Sequence, residues 1–373
     1  MSSAVTATIR SLRTRAIRVP LRRPWGPDVR DLSLVEVVVE DSAGDRGYGF
    51  SWTPSIGAAA VQAHLDHDIA AFAVGRDADA ESLWEPLWSH LHEGGGGGIT
   101  TIAMAGLDLA LWDLAARRAG LGIADLLGRR HESAEVYGSG VNLHYPLDEL
   151  VAQAERWVAA GFDAVKVKVG SPRLADDVER IAAVREVIGP DRRLMIDANQ
   201  RWSLEQAERA IGELAAYRLT WIEEPLRADD LAGHVELRDR IEVPIALGEN
   251  LYTHYRFAEF IDAGAVDVVQ PNVVRVGGIT PFRAIAALAA DRGVELAPHL
   301  LLELSAQLAM TLPGDHLVES VEDASFESLG ALAPPSPVAL HGNRVRTTGQ
   351  TGLGIRFAGP SADAAASADR TEE

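Results

Sequence analysis

The sequence predicts an α/β fold, a parallel barrel with helices outside preceded by a smaller α+β part, and three observations carry that prediction. From about Glu135 onward, strand-like and helix-like segments alternate at roughly 20–30 residues per unit, the spacing of a parallel barrel. Ahead of that point the texture is antiparallel and then helical. Finally, Asp197, Glu223 and Glu249 each follow a short apolar run at matched intervals, as successive barrel strands ending on one rim would produce.

In chain order, Thr6 to Gly49 shows short alternating apolar runs such as Leu34 to Glu40, closed by the turn-rich Asp41 to Gly47, which reads as an antiparallel meander. Helical periodicity runs from Ala58 to about Leu91, and the glycines Gly94 to Gly98 then break the chain. Thr100 to Gly120 has apolar residues on most faces, including Ile102, Leu107, Leu111 and Trp112, and predicts a buried helix in which Asp108 and Asp113 are satisfied core acids. Strands are expected near 136–141, 163–169, 194–198, 220–223, 245–248, 266–270, 294–298 and 316–319, with helices such as Leu147–Ala160 and Leu204–Ala216 between them. The domain boundaries that follow are 1–130, 131–323 and 324–360, with 361–373 a disordered tail that has little to bury.

At 373 residues and 47% hydrophobic, the chain accommodates one barrel and one smaller domain. A formal net charge of -19 without a basic block argues against nucleic acid or an anionic membrane as partner. The absence of cysteine excludes disulfides, thiolate nucleophiles and Cys-ligated metals. No apolar run of roughly 18 residues and no leader-like start are present, so a cytoplasmic protein is expected.

Any one of the three acids could be a helix cap or a surface charge. In register on one rim they read as a ligand set, and oxygen-only ligation with room for water and substrate suits Mg2+. Val165-Lys166-Val167-Lys168-Val169 places two lysines on one face of a strand, because side chains two apart point the same way. A buried lysine beside a cation has its amine pKa pushed down and becomes a base, suited to removing a proton beside a carboxylate. His299 ends the seventh strand segment and Glu319 the eighth, so both fall at the same rim. His299 is expected to approach from across the pocket, and Glu319 either to hydrogen-bond substrate or simply to close the barrel.

Val165 to Val169, Asp197-Ala198-Asn199, Glu223-Glu224-Pro225, Gly248-Glu249-Asn250, Gln270-Pro271-Asn272, Gly277-Gly278-Ile279-Thr280 and Pro298-His299, in this order and spacing, resemble the enolase superfamily, and within it the mandelate racemase subgroup. The resemblance spans nearly the whole chain. It implies a modified (β/α)7β barrel capped by an α+β domain built from both chain ends, one Mg2+ per subunit, a small-molecule carboxylate substrate and a symmetric homo-oligomer. It also implies Asp197, Glu223 and Glu249 as metal ligands, Lys168 as base, Lys166 on the substrate carboxylate, His299 as acid or base on the opposite face, and Glu319 on the developing enediolate. Two capping loops, about Pro20–Asp28 with Arg22, Arg23 and Trp25, and Phe50–Ile56 with Trp52 and Thr53, map to those that set specificity, although Trp25 and Trp52 read equally as domain-interface anchors. Asn199 is a further substrate-side candidate.

Asn272 departs from the resemblance, because an aspartate usually pairs with the histidine there. Asparagine supplies no negative charge to favour the imidazolium, so His299 should be a poorer base. The resulting expectation is a Mg2+-dependent lyase that dehydrates a sugar acid, with Lys168 taking the alpha proton and His299 assisting loss of the beta hydroxyl. A racemase, epimerase or cycloisomerase shares the first half-reaction. A non-catalytic sugar-acid sensor would not need both lysines and the histidine, and a Schiff-base aldolase would leave the metal triad without purpose. Arg275, after Asn272, has no assigned role.

Overall fold

The computed structural model describes residues 7–26 and 28–358, so the tail expected at 361–373 lies outside the described residues. The chain opens with three antiparallel strands, β1 (Ile9–Trp25), β2 (Val29–Asp41) and β3 (Arg46–Thr53), in the order β1-β2-β3. Helical segments α1 (Ala58–His64), α2 (Ala70–Ala73) and α3 (Ala80–Leu91) follow. The helical periodicity from Ala58 to Leu91 thus falls into separate segments, divided by a π-helical turn at Leu65–Ile69 and a non-helical link at 74–79. Gly75 takes a φ of +86°, which explains the break.

The long helix α4 (Ile99–Ala119) packs on the sheet, and the short α5 (Ile123–Leu126) ends this part. Glycine makes the contact between α4 and β3 possible: a Cβ on Gly49 would lie 2.2 Å from Gly106 O, and one on Gly47 2.0 Å from Ala110 O. By length and composition α4 could cross a membrane, yet 83% of that stretch is buried inside this fold. Both of its acids are satisfied. Asp113 accepts from Tyr48 N at 3.0 Å and Leu353 N at 2.7 Å, and Asp108 accepts from Thr280 N at 3.2 Å.

The barrel is β4 (Ala134–Ser139), α6 (Leu147–Ala159), β5 (Ala164–Lys168), α7 (Leu174–Ile188), β6 (Arg193–Asp197), α8 (Leu204–Leu214), β7 (Leu219–Glu223), α9 (Leu231–Arg238), β8 (Ile245–Leu247), α10 (His254–Asp262), β9 (Val268–Val269), α11 (Ile279–Arg292), β10 (Glu295–Leu296), α12 (Leu302–Ala309) and β11 (Leu317–Val321). Each expected strand segment is present, and the alternation is (β/α)7β. Parallel ladders run β10-β9-β8-β7-β6-β5-β4, and β11 pairs with β4 on the far side.

Inward and outward residues alternate, so the barrel holds a plug of Tyr137, Ala164, Met195, Trp221, Ala246, Val268 and Ala297, while Val165, Val167 and Ile196 face the helices. Lys166, Asp197 and Glu223 stand two residues beyond plug members, and all three are therefore inward and buried. Segment 324–360, expected to return to the capping part, divides. The hairpin β12 (Val338–His341) and β13 (Arg344–Thr347) joins the barrel sheet beside β4. The stretches on either side of the hairpin meet the cap: Phe326 before it and Phe357 beyond it both pack edge-on against Phe50, and Leu353 N donates to Asp113.

Candidate active site

Strand register gathers the site. Lys168 is paired with Asp197 and Asp197 with Glu223, so three functional side chains stand side by side at the strand ends. Glu249 lies three residues beyond Ala246, the partner of Glu223, and Gly248 makes that extra step possible. Gly248 has φ +148°, and a Cβ there would lie 2.7 Å from Gln270 N. Asn199, Gln200, Glu224, Leu300 and Leu301 all carry positive φ of 42° to 63°, so backbone strain concentrates on this rim.

The charges pair in the interior. Lys166 Nζ lies 2.7 Å from both oxygens of Glu223, 2.8 Å from Glu319 Oε1 and 3.7 Å from Asp197 Oδ2. Lys168 Nζ contacts Asp197 Oδ2, and Asn199 N donates to Asp197 Oδ1 at 2.8 Å. Glu249 Oε2 is 2.6 Å from His299 Nε2, and Glu319 Oε2 accepts from Leu300 N at 3.0 Å. Trp25, Trp52, Lys168, Asn199, Arg275, His299, Glu249 and Glu319 all line one cavity of about 190 Å3, with Lys166, Asp197, Glu223 and Asn272 buried around it.

The expectation that the lysine amines are depressed is not met in this state. Burial lowers both, but Glu223 and Glu319 outweigh it at Lys166 and Asp197 outweighs it at Lys168, so both amines are held up. The acids exceed the cations. Burial, compounded by Asp197, pushes Glu223 up to about 8 against the pull of Lys166, and burial with Glu249 and Asp197 raises Glu224 well above its ordinary value. At Glu249 burial is overcome by His299, Lys168 and Arg275, which hold the carboxyl well below 4.5. Glu319 is likewise held at about 2, mainly because Lys166 and His299 outweigh burial, so it is an acceptor here and not the hydrogen-bond donor that protonation would make it.

Among the described residues no three acidic or histidine side chains converge closely enough to hold a metal as they stand. The donor chemistry nevertheless fits a hard divalent ion: Asp197, Glu223 and Glu249 offer only oxygen, and the cluster is short of positive charge. Lysine and histidine now occupy the oxygens that such an ion would take.

His299 is fixed from behind. Asn272 Oδ1 accepts from Val274 N and Arg275 N, each at 3.1 Å, which turns its amide nitrogen to His299 Nδ1 at 3.1 Å. An N–H facing Nδ1 requires that nitrogen to accept, so the ring proton sits on Nε2. His299 thus presents a donor to the cavity and no lone pair.

Three further residues were not singled out for a role from sequence. Gln270, at the end of β9, donates to Glu223 Oε2 at 2.7 Å, and its rim position beside the other strand-end polar residues was the available signal. Asn142 Oδ1 accepts from Lys168 N at 3.0 Å, which no spacing reveals. Arg275 donates to Glu249 O at 2.8 Å and Asn250 Oδ1 at 2.6 Å, and its guanidinium lies 5.9 Å from the centre of the Trp52 ring. The segment expected as a cap loop from Pro20 is strand β1 as far as Trp25, and on it Arg23 pairs with Glu149 and lies 3.7 Å over the Tyr145 ring, while Arg22 is 3.8 Å from Asp323.

Known proteins resemble this chain in sequence and in fold. The family profile "Mandelate racemase / muconate lactonizing enzyme, N-terminal domain" matches residues 6–128, and "Enolase C-terminal domain-like" matches residues 149–361. The chain is 38% identical to the 3,6-anhydro-alpha-L-galactonate cycloisomerase of Streptomyces coelicolor, over 82% of this chain and 86% of that protein. It is 37% identical to the L-talarate/galactarate dehydratase of Salmonella typhimurium, over 78% of this chain and 74% of that protein. The L-talarate dehydratase of Polaromonas sp. JS666, solved with Mg and L-glucarate, superposes with a TM-score of 0.86 at 34% identity, covering 95% of this chain and 96% of that one. This chain therefore belongs to the mandelate racemase/muconate lactonizing enzyme family of the enolase superfamily.

Proposed function

We propose that this chain is a Mg2+-dependent enzyme that removes the proton alpha to the carboxylate of a sugar acid and expels the beta oxygen, giving a 2-keto-3-deoxy acid. The observation that carries the reading is that one cavity is lined both by Lys168, which can take a proton, and by His299, which Asn272 holds as an Nε2 donor. One competent base supports elimination and does not support two-base racemisation.

Asp197, Glu223 and Glu249 would hold the ion, which supplies positive charge to the substrate carboxylate as the alpha carbon loses its proton. Lys166, fixed between Glu223 and Glu319, orients that carboxylate. Lys168 becomes a base once Asp197 is no longer its partner, because burial and the Lys166 ammonium then both press its proton off. His299 Nε2–H stabilises the departing oxygen by a hydrogen bond, and Trp25 and Trp52 exclude water from the cavity mouth. A symmetric homo-oligomer, as in the resemblance, belongs to the same proposal.

A second reading, ring-opening cycloisomerisation, uses the same groups. The His299 donor favours it equally, and the Streptomyces relative bears a cycloisomerase name. The test is product analysis over a panel of aldonates, aldarates and their lactone or anhydro forms with Mg2+. Formation of a 2-keto-3-deoxy acid from an open-chain acid supports dehydration, whereas keto product from cyclic substrates alone selects the second reading. Clean interconversion of stereoisomers without keto product would overturn both.

A further inference from the structure

Among the described residues the β4–β5 ladder is registered at Gly138–Val165 and Ser139–Lys166 and stops short of Lys168. A side chain takes over where the strand ends: Asn142 Oδ1 accepts the Lys168 N–H at 3.0 Å. Behind Asn142 the bonds continue outward. Asn142 Nδ2 donates to Gln153 Oε1 at 2.9 Å, Gln153 Nε2 donates to Glu322 Oε2 at 2.7 Å, and Arg156 donates to both oxygens of Glu322 at 2.9 Å. The end of β5, which carries Lys168, is thereby tied to an ion pair at the surface.

The direction of every bond in this chain is dictated from its two ends, and the ends agree. A carboxylate accepts and a backbone N–H donates. Glu322 therefore turns the Gln153 amide nitrogen outward and its oxygen inward, that oxygen draws Asn142 Nδ2, and Asn142 is left with Oδ1 facing Lys168 N. Burial works to raise the Glu322 carboxyl, but the bonds from Arg156 and Gln153 outweigh it, so the group stays charged and cannot reverse the order. The middle of the chain is shut off from water. Asn142 and Gln153 are fully buried, Gln153 on the face of α6 that also presents Leu150, Ala154 and Trp157. Gly140 permits the approach, because a Cβ there would lie 2.5 Å from Gln153 Nε2, and Arg180 Nη2 pins the same loop by donating to Asn142 O at 2.8 Å. A buried amide is costly unless both of its ends are used, and Gln153 spends one toward the surface and one toward the lysine strand.

We propose that Gln153 is a positioning residue for the proton-abstracting lysine: through Asn142 it fixes the backbone at the end of β5, and with it the point from which the Lys168 side chain reaches the substrate. The proposal rests on Lys168 as the base. Gln153→Met keeps the length of the side chain and removes both bonds. The Lys168 N–H, read without substrate by hydrogen exchange in NMR spectra of the full-length protein, should then exchange about tenfold faster. With the fastest substrate of the panel above, kcat should fall about ten- to hundredfold, the cost of a misplaced catalytic group, while KM and the Mg2+ stoichiometry measured by calorimetry stay as in the parent. Leu150→Ala loosens the same helix without touching the chain of bonds, so it should lower the melting temperature and leave kcat and the Lys168 N–H rate unchanged. If Gln153→Met does not fold, Glu322→Gln, which no longer dictates the direction of the amides, is read in its place and should shift both quantities the same way by a smaller factor. An unchanged Lys168 N–H rate or an unchanged kcat in the folded variant, or equal losses in Leu150→Ala, would overturn the proposal. Turnover retained in Lys168→Met would overturn the base assignment instead, a result on which the N–H measurement does not depend.

Discussion

Replacing Asn272 with aspartate tests how His299 is held. In the parent, two backbone N–H groups fix Asn272 Oδ1 and leave an amide N–H for His299 Nδ1. Aspartate keeps the first two bonds through one oxygen and turns its second oxygen, fully buried, toward Nδ1. That oxygen requires a donor, so the ring must move its proton to Nδ1 and expose a lone pair at Nε2. A hydrogen bond to a charged partner contributes about 1.5–3 kcal/mol, which corresponds to roughly a ten- to hundredfold change in the balance between the two ring forms. The consequence is a competent second base: the variant should gain exchange of the alpha proton from the histidine face and lose elimination by a similar factor. Nitrogen-15 correlation spectra of the imidazole report the tautomer directly, and proton spectra in deuterium oxide follow exchange at both stereochemical faces. A parent ring already protonated at Nδ1, or an unchanged tautomer in a variant that melts like the parent, would refute the reasoning.

Lys168→Met should retain the fold and lose turnover by about 10²–10⁴-fold, the contribution of a general base, and steady-state kinetics with circular dichroism would check both halves. Chelation should abolish turnover, and Mg2+ at about a hundred times its dissociation constant should stabilise the chain by roughly 2.7 kcal/mol, seen as a rise in melting temperature. Glu223→Gln, which removes one of the three acids, should blunt that rise. Asp108 is raised by burial from 3.8 to about 7, against the hydrogen bonds it accepts from Thr280. Its folded pKa exceeds its unfolded one, so its contribution is fully present below about pH 4 and is lost as pH rises through about 7. Asp108→Asn should therefore flatten the fall in stability between those values by at most roughly 4 kcal/mol, measured by denaturant unfolding across pH.

Much of this architecture was legible because the barrel repeats one local rule. Alternation along β5 placed Lys166 and Lys168 on the same inward face, and the apolar runs before Asp197 and Glu223 put their ends on one rim. At β9 and β10 only two residues each are laddered, against five expected, since Pro271 and Pro298 follow closely and cannot donate to a ladder. The β12–β13 hairpin carries its signal in Gly342-Asn343, which lies between two alternating runs and joins His341 to its partner Arg344. What no pattern could give is the choice of partners within the site. Lys166 has three carboxylates within reach, and whether Glu223, Glu319 or Asp197 claims it depends on distances that only the closed barrel sets. The raised lysine amines have the same origin, because the balance of acids over cations is a property of the assembled rim.

The first turn of α11 has no side-chain cap of its own. Gly278 supplies none, and the N–H of Thr280 is met by Asp108 from α4, while Trp84 Nε1 donates to Gly277 O at 2.9 Å. The barrel thus borrows a finishing piece from the other half of the molecule, a few residues downstream of Asn272. Anyone transplanting a different cap onto this scaffold to change its substrate would have to carry α4 along unchanged, and a barrel excised alone should fray first at this helix.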